Sequence, residues 1–182
     1  MLELFWARGY RAVTLPEMLA AGRISRSSLY NDYGSKAGVF AAVLTRYQTR
    51  ARARFREYVE HSTSTLETVR RILTDFAQEA TQGTSHQGCF ILNTAIELGP
   101  TRPEIRALIR DNRRETVDIL TPLFAAGRAR GELSVATKPL HLATLFFVLV
   151  NGLQAEARTT RDPEVFEVCA EVFWNLLATD HS

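Results

Sequence analysis

The stretch SRSSLYNDYGSK, residues 25–36, gathers side chains that bind phosphate groups. Serine and tyrosine hydroxyls, an arginine guanidinium, an asparagine amide and a lysine ammonium all donate hydrogen bonds to phosphate oxygens. Ser25 is a residue type that begins helices, and the free amides of a helix N-terminus add to the attraction for an anion. This pattern is typical of a short helix that contacts a nucleic-acid backbone.

An acid, Asp32, interrupts this stretch. A carboxylate within about a Debye length of DNA phosphates repels them, so it weakens binding unless it turns toward a cation such as Arg26 or Arg11. We expect Asp32 to face away from phosphate. The surrounding charge favours binding, because the first fifty residues carry seven Lys or Arg against three acids, a balance of +4, and the remainder carries −2.

The whole chain has 182 residues, 46% of them hydrophobic, and a net charge of only +2. It is long enough to bury a real core and too mildly charged to act as a polycation. Cys89 and Cys169 lie in apolar contexts, which favours buried thiols over a disulfide. The N-terminus lacks a signal peptide, and the longest apolar run, LHLATLFFVLVNGL, is too short and too polar for a membrane span. We therefore expect a soluble cytoplasmic protein with no membrane partner.

Three short helices are predicted at the front of the chain. The first is stopped by Gly9. Thr14 and Glu17 form a capping box for a second helix that runs to about residue 21. Ser25 caps a third helix through Tyr33. Together they form a compact three-helix head.

The remaining segments show helical spacing of apolar residues and no strand alternation. We predict an all-α fold of about nine helices, with later helices over about 36–59, 66–80, GCFILNTAIEL, 103–130, and two that open at Lys138-Pro139 and Asp162-Pro163. The last two helices are apolar on more than one face, which favours a homodimer formed through them. Ordinary core helices of a monomer are the alternative.

Residues 3–40, ELFWARGYRAVTLPEMLAAGRISRSSLYNDYGSKAGVF, resemble the N-terminal domain of TetR-family transcriptional regulators. The resemblance implies a helix-turn-helix DNA-binding domain over 1–45 and a larger helical ligand-binding and dimerisation domain over 46–182. The matching positions are Leu4, Phe5, Gly9, Tyr10, Thr14, Ala21, Ile24, Ser25, Ser27, Ser28, Leu29, Tyr30, Tyr33, Ser35 and Lys36.

The resemblance also implies which residues contact DNA. In the family, the positions that match Thr14, Ser28, Tyr30, Asn31 and Lys36 contact DNA, mostly at phosphates. The helical spacing adds Arg26 and Ser27 to this outward face and turns Leu29 and Tyr33 inward.

The sequence departs from the family pattern in four places. Leu19 replaces a small helix-packing residue, and Arg23 replaces the glycine of the turn. If Arg23 takes a positive φ, the strain costs about 1 kcal/mol, and otherwise Gly22 makes the turn. Asp32 replaces an aromatic residue or histidine. Met1 enters halfway through the family's first helix, so we expect a late start codon or a truncation.

By resemblance, the second domain encloses a cavity for a small effector. Its Phe, Leu and Val content favours an apolar or aromatic compound. Each aromatic candidate has plain core packing as an alternative, and the asparagines have an interhelical hydrogen bond. The candidate lining residues are Phe76, Phe90, Asn93, Asn112, Thr116, Phe124, Phe147 and Asn151.

These observations predict a repressor that binds an operator in double-stranded DNA and is switched by a small molecule. The alternative is a helical ligand-binding or protein-interaction dimer that has lost specific DNA binding. An enzyme is not expected, because the chain contains no nucleophile elbow, zinc-protease helix, phosphate loop or dinucleotide fingerprint. The four histidines are far apart, so no metal or other cofactor is expected.

Overall fold

The computed structural model describes residues 1–82, 87–133 and 138–178. Within these ranges the only β pairing is a single bridge between Leu133 and Ala178. The predicted all-α fold is confirmed, and the part of the chain that is described contains nine helices: α1 (Leu2–Ala12), α2 (Leu15–Gly22), α3 (Arg26–Tyr33), α4 (Lys36–Glu60), α5 (Thr65–Gln82), α6 (Phe90–Leu98), α7 (Pro103–Ala129), α8 (Pro139–Arg158) and α9 (Pro163–Leu177).

Local signals in the sequence set most of the helix boundaries. Ser25 caps α3, and Asp162 caps α9 by accepting a hydrogen bond from the Glu164 N–H at 3.0 Å. Pro139 and Pro163 occupy the first turns of α8 and α9, where a missing N–H costs nothing. The predicted polar stretch between α5 and α6 lies partly outside the described residues.

Helix α1 is interrupted at Gly9, which has a φ of +77°. The sequence predicts that α1 ends there, but a helical turn resumes and continues to Ala12. The break frees the N–H groups of Tyr10 and Arg11, and the carboxylate of Glu97 accepts both. The turn therefore resumes because a distant residue satisfies the backbone groups that the break exposes.

The chain forms two compact units. The first contains Met1–Ala51 and Cys89–Ile109, and the second contains Arg52–Gly88 and Arg110–Ser182. Helices α4 and α7 contribute residues to both. The first unit includes α6, which the sequence assigns to the second domain, because α6 packs against α1.

The core of the first unit is rich in aromatic side chains. Phe5 and Leu29 are fully buried. The rings of Phe5 and Phe40 meet edge to face at 5.1 Å, and Phe40 meets Phe90 of α6 at 5.6 Å. These contacts join α1, α4 and α6 around one hydrophobic cluster.

In the second unit, α5 packs against α8 and α9. Phe146 of α8 is fully buried and contacts Phe124 of α7 at 5.9 Å and Phe173 of α9 at 5.3 Å between ring centroids. The buried core of this unit includes residues of α4, α5, α7, α8 and α9.

Helix α8 has 20 residues, and an 18-residue window within it has a mean hydropathy of 1.3, so by length and composition alone it could cross a membrane. The apolar run LHLATLFFVLVNGL covers only part of this helix. A third of that window is buried inside the protein. Its buried face belongs to the core of the second unit, as is usual for a core helix.

Candidate nucleic-acid interface

The N-terminus of α3 carries a cluster of three serines. The Ser25 hydroxyl oxygen accepts a hydrogen bond from the Ser28 N–H at 3.1 Å and lies 2.8 and 2.9 Å from the hydroxyl oxygens of Ser27 and Ser28. Directly after them, Leu29 is fully buried and fixes α3 to the core of the first unit. The cap and this anchor together hold several hydroxyl groups at the exposed end of a short helix.

The outward face of α3 consists of Arg26, Ser27, Tyr30 and Asn31, all of which are exposed. The Arg26 guanidinium lies 5.8 Å from the centroid of the Tyr30 ring, within the range of a cation–π contact. The expectation that Tyr33 turns inward is wrong, since 43% of it is exposed. Tyr33 is the last residue of this two-turn helix.

The turn between α2 and α3 is made by Arg23, not by Gly22. Arg23 has a φ of 51° and a ψ of 40°. Its N–H donates to the Ala20 carbonyl at 3.3 Å, and the Ile24 N–H donates to the Leu19 carbonyl at 3.2 Å. A left-handed conformation costs a residue with a side chain about 1 kcal/mol, so this turn is strained.

Thr14 and Glu17 form the predicted capping box of α2. The backbone N–H and the hydroxyl of Thr14 donate to one Glu17 oxygen at 2.8 and 2.7 Å, and Arg8 pairs with the other. The Thr14 bonds and the Arg8 guanidinium lower the pKa of Glu17 to about 2. Both hydrogen-bond donors of Thr14 are therefore already used within the protein.

Lys36, at the start of α4, is half-buried and turned toward the connection between α1 and α2. Its ammonium donates to the carbonyl of Val13 and, at 3.4 Å, to that of Arg11. It also lies 4.7 Å from the centroid of the Tyr10 ring. Lys36 therefore braces the chain between the first two helices.

Asp32 is exposed, and the two cations that could offset its charge, Arg26 and Arg11, contact other groups. Arg26 lies over Tyr30, and Arg11 donates to the Thr101 hydroxyl at 3.4 Å. Among the residues that the structure describes, Asp32 forms no ion pair, so neither Arg26 nor Arg11 offsets its repulsion of phosphate. Its charge stays unneutralised on the helix that carries the DNA-binding candidates.

The eight predicted ligand-lining residues are divided between the two units. Phe90 and Asn93 belong to the first unit, where the Phe90 ring meets Tyr47 at 5.6 Å and is almost fully buried. The other six belong to the second unit: Phe76, Asn112, Thr116, Phe124, Phe147 and Asn151.

Three polar candidates of the second unit form hydrogen bonds within the protein. The Thr116 hydroxyl donates to the Asn112 carbonyl at 2.8 Å, and the Asn151 amide donates to the Phe147 carbonyl at 2.7 Å, each four residues earlier in its own helix. The Asn112 side-chain oxygen accepts from Arg52 at 3.2 Å. Asn112 and Thr116 are buried, so they form a polar patch within an otherwise apolar core.

A cluster of charged and polar side chains links α4 to α5. The sequence did not predict this cluster. Arg54 donates to Glu79 at 2.8 Å and to the Tyr58 hydroxyl, which itself donates to Asp75. The Arg54 guanidinium also lies 4.6 Å from the Phe76 ring centroid. Burial lowers the pKa of Arg54, but the bonds with Glu79 and Tyr58 outweigh it and raise that pKa overall.

In the described part of the chain, no group of three or more His, Cys, Asp or Glu side chains could hold a metal ion. Cys89 is buried, and that burial raises the pKa of its thiol, whereas Cys169 is only partly buried. Neither thiol forms a disulfide, as the sequence predicts.

Comparison with known families and proteins gives matches along most of the chain. The family of bacterial regulatory proteins described as tetR matches residues 2–43, and the tetracyclin repressor-like C-terminal domain matches residues 65–173. The transcriptional repressor ComR of Escherichia coli (strain K12) is 29% identical over 161 residues, which cover 86% of this chain and 75% of that protein. The transcriptional regulator AcuR of Cereibacter sphaeroides is 29% identical over 167 residues, covering 89% and 75%.

Solved structures of similar proteins share the fold. A cysteine-substituted CifR, a TetR family transcriptional regulator solved with 26-bp operator DNA, superposes with a TM-score of 0.82 at 25% identity and covers 96% of this chain and 91% of that one. Reduced NemR of E. coli superposes with a TM-score of 0.83 at 21% identity, covering 100% and 95%.

Proposed function

This chain belongs to the TetR family of transcriptional regulators, and from that membership we propose that it is a repressor switched by a small apolar or aromatic molecule. It is a helix-turn-helix DNA-binding regulator and not an enzyme. The target is an operator in double-stranded DNA. The observation that carries this proposal is the exposed, serine-capped N-terminus of α3.

Helix α3 has the features of a recognition helix. Its core anchor leaves Arg26, Ser27, Tyr30 and Asn31 exposed on the face that we propose meets DNA. Arg26, at the first helical position, is placed to reach a base edge, and the hydroxyl and amide groups suit phosphates, as does Ser28. These residues lie within the first fifty residues, whose net charge is +4.

Thr14 and Lys36 take part differently. Thr14 reaches phosphate only by releasing Glu17, because both of its donors are used in the capping box. Lys36 acts mainly by bracing the connection that precedes Thr14, and its charge adds to the positive potential of the head.

The second copy of the chain is proposed to dock on the exposed apolar faces of α8 and α9. In α9, Val168, Val172 and Leu176 are at least half exposed at helical spacing, and in α8, Val148 is 56% exposed. Gly152 on α8 faces open space, which permits close approach of another helix. An isologous dimer through these helices presents two copies of α3 to successive major grooves, about 34–36 Å apart.

The effector is proposed to bind among the six candidate residues of the second unit, beside the polar patch of Asn112 and Thr116. A mostly apolar site with a few polar groups suits an apolar or aromatic molecule. Helix α4 is continuous from Lys36 to Glu60 and contributes to both units. We propose that it carries the effect of the ligand to the spacing of the two recognition helices. The site of action is the cytoplasm, where an operator is accessible.

A second candidate function is a ligand-binding or protein-interaction dimer that has lost specific DNA binding. The unneutralised charge of Asp32 and the strained turn at Arg23 favour it. Both features weaken DNA binding without affecting the second unit.

Fluorescence anisotropy with labelled DNA separates these candidates. The repressor is expected to bind DNA from upstream of its own gene about a hundredfold or more tighter than a scrambled duplex of equal length. Arg26→Ala should reduce this ratio, whereas Arg50→Ala, at an exposed position of α4, should leave the ratio unchanged. Equal affinity for both duplexes would support the second candidate.

A further inference from the structure

The break in α1 is held by a residue that neither domain match assigns to DNA binding. The Tyr10 N–H donates to one oxygen of Glu97 and the Arg11 N–H donates to the other, each at 2.8 Å. A Cβ at Gly9 would lie 2.7 Å from the same carboxylate, and the φ of Gly9 is positive. The carboxylate therefore occupies the space that the missing side chain leaves, and it replaces the helical partners that two amides have lost.

Two cations lie near the ring of Tyr10, the residue after Gly9. The Arg102 guanidinium lies 4.9 Å and the Lys36 ammonium 4.7 Å from the centroid of the Tyr10 ring. We call Gly9, Tyr10, Arg11, Glu97 and Arg102 the α1 junction. All of its members lie in the first unit, where α6 packs against α1.

The α1 junction lies just before the helix-turn-helix. Three residues after Arg11, Thr14 caps α2, and the carbonyls of Arg11 and Val13 accept from Lys36. The path of this connection sets where α2 begins and hence where α3 is presented. Because Glu97 binds main-chain groups, a shift of α6 acts directly on the backbone of this connection.

We propose that Glu97 is a positioning residue for DNA binding: it contacts no DNA and holds the α1 junction in the geometry that the head needs. The proposal rests on the proposed function for its effect on DNA affinity. The expected effect of Glu97 on the backbone follows from its two hydrogen bonds and does not depend on the proposed function. A neutral amide at this position has one acceptor oxygen, and it places an N–H₂ group against an amide N–H.

The test combines amide hydrogen exchange with DNA binding in the full chain. In Glu97→Gln, the Tyr10 and Arg11 amides should exchange about tenfold faster or more, and DNA affinity should fall about tenfold on every sequence. The slope of affinity against salt should stay the same, because no phosphate contact is removed. Exchange at the fully buried Leu44 of the first unit should not change, which distinguishes repositioning from unfolding of that unit.

Glu60→Gln is the matched control, because it removes an equal charge from an exposed position at the end of α4, outside the α1 junction. Glu97→Asp, which keeps the charge but shortens the side chain, should give an intermediate effect. Unchanged exchange at both amides, or the same DNA affinity as Glu60→Gln, would overturn the proposal. Failure of the unaltered protein to prefer its upstream DNA would overturn the proposed function alone, and exchange would still decide the role of Glu97.

Discussion

At the scale of residues, several polar side chains near the recognition helix already form hydrogen bonds within the protein. Thr14 bonds to Glu17, and Lys36 bonds to the connection between α1 and α2. Arg26 and Tyr30 stay exposed on α3 beside the unneutralised Asp32. DNA binding therefore depends on few free donors, and a single nearby acid has a measurable effect.

Removing the charge of Asp32 should tighten DNA binding. Asp32→Asn keeps the size of the side chain and removes its repulsion of phosphate, so affinity should rise about threefold at low salt. The gain should shrink as salt screens the charge. Asp32→His should tighten binding further, because an imidazole can donate to phosphate.

Anisotropy titrations at two salt concentrations measure this effect. Glu60→Gln is the control, since it removes an exposed acid at the far end of α4 and should leave affinity unchanged. Equal or weaker binding by Asp32→Asn at both salt concentrations would show that the acid contributes to binding.

At the scale of elements, the helices begin where local signals predict. The cap at Ser25 and the proline at position 163 act within one turn, so their effect is visible in the sequence. The resumption of α1 after Gly9 depends on Glu97, which lies about ninety residues away, and nothing local indicates it. The inward bonds of Lys36 depend likewise on tertiary contacts with Val13. The sequence therefore predicted which elements form and the local capping box of Thr14 and Glu17, but not the polar contacts made by distant residues.

Glu132 is a second residue that bonds to backbone groups far away in the sequence, here at the start of α5. Its carboxylate accepts from the Thr65 N–H at 2.7 Å and the Ser64 hydroxyl at 3.0 Å, and it pairs with Arg130. Burial raises the pKa of Glu132, but hydrogen bonds from Arg130, Ser64 and two backbone amides outweigh that effect and lower it below the ordinary 4.5. A lowered pKa in the folded state means that Glu132 stabilises the protein fully above its unfolded pKa and progressively less as pH falls.

Glu132→Gln should lower the free energy of unfolding by about 1 kcal/mol at pH 7, the usual value of a helix cap. The difference from the unaltered protein should diminish as pH falls below 4.5. Urea unfolding at pH 7 and in acid measures it, with Glu57→Gln at an exposed position of α4 as control. An equal difference at both pH values would contradict this account.

At the scale of the whole molecule, the chain divides into two units that differ from the predicted domains. The first unit takes in α6 and the start of α7 as well as the head. The sequence could not show this division, because it follows from the packing of α6 on α1. The exposed apolar residues of α8 and α9 belong to the second unit, where the proposed dimer forms.

Val172→Glu should separate the proposed dimer. Val172 is 63% exposed in the middle of α9, so a carboxylate there costs little in a single copy but is buried without a partner in the dimer. Sedimentation should show a monomer, with weaker DNA binding as a result. Ile96→Glu is the control, because Ile96 is 69% exposed on α6 of the first unit. A dimer that survives Val172→Glu would place the interface elsewhere.

The salt dependence of binding to upstream DNA tests the central claim most directly. A dimer that sets two copies of α3 against phosphates releases counterions at each contact, so affinity should fall steeply with salt. We expect a logarithmic slope of about −4 or steeper, together with a preference for upstream DNA over scrambled DNA. A slope near zero, with no preference between the two duplexes, would contradict the claim that this protein is a DNA-binding repressor.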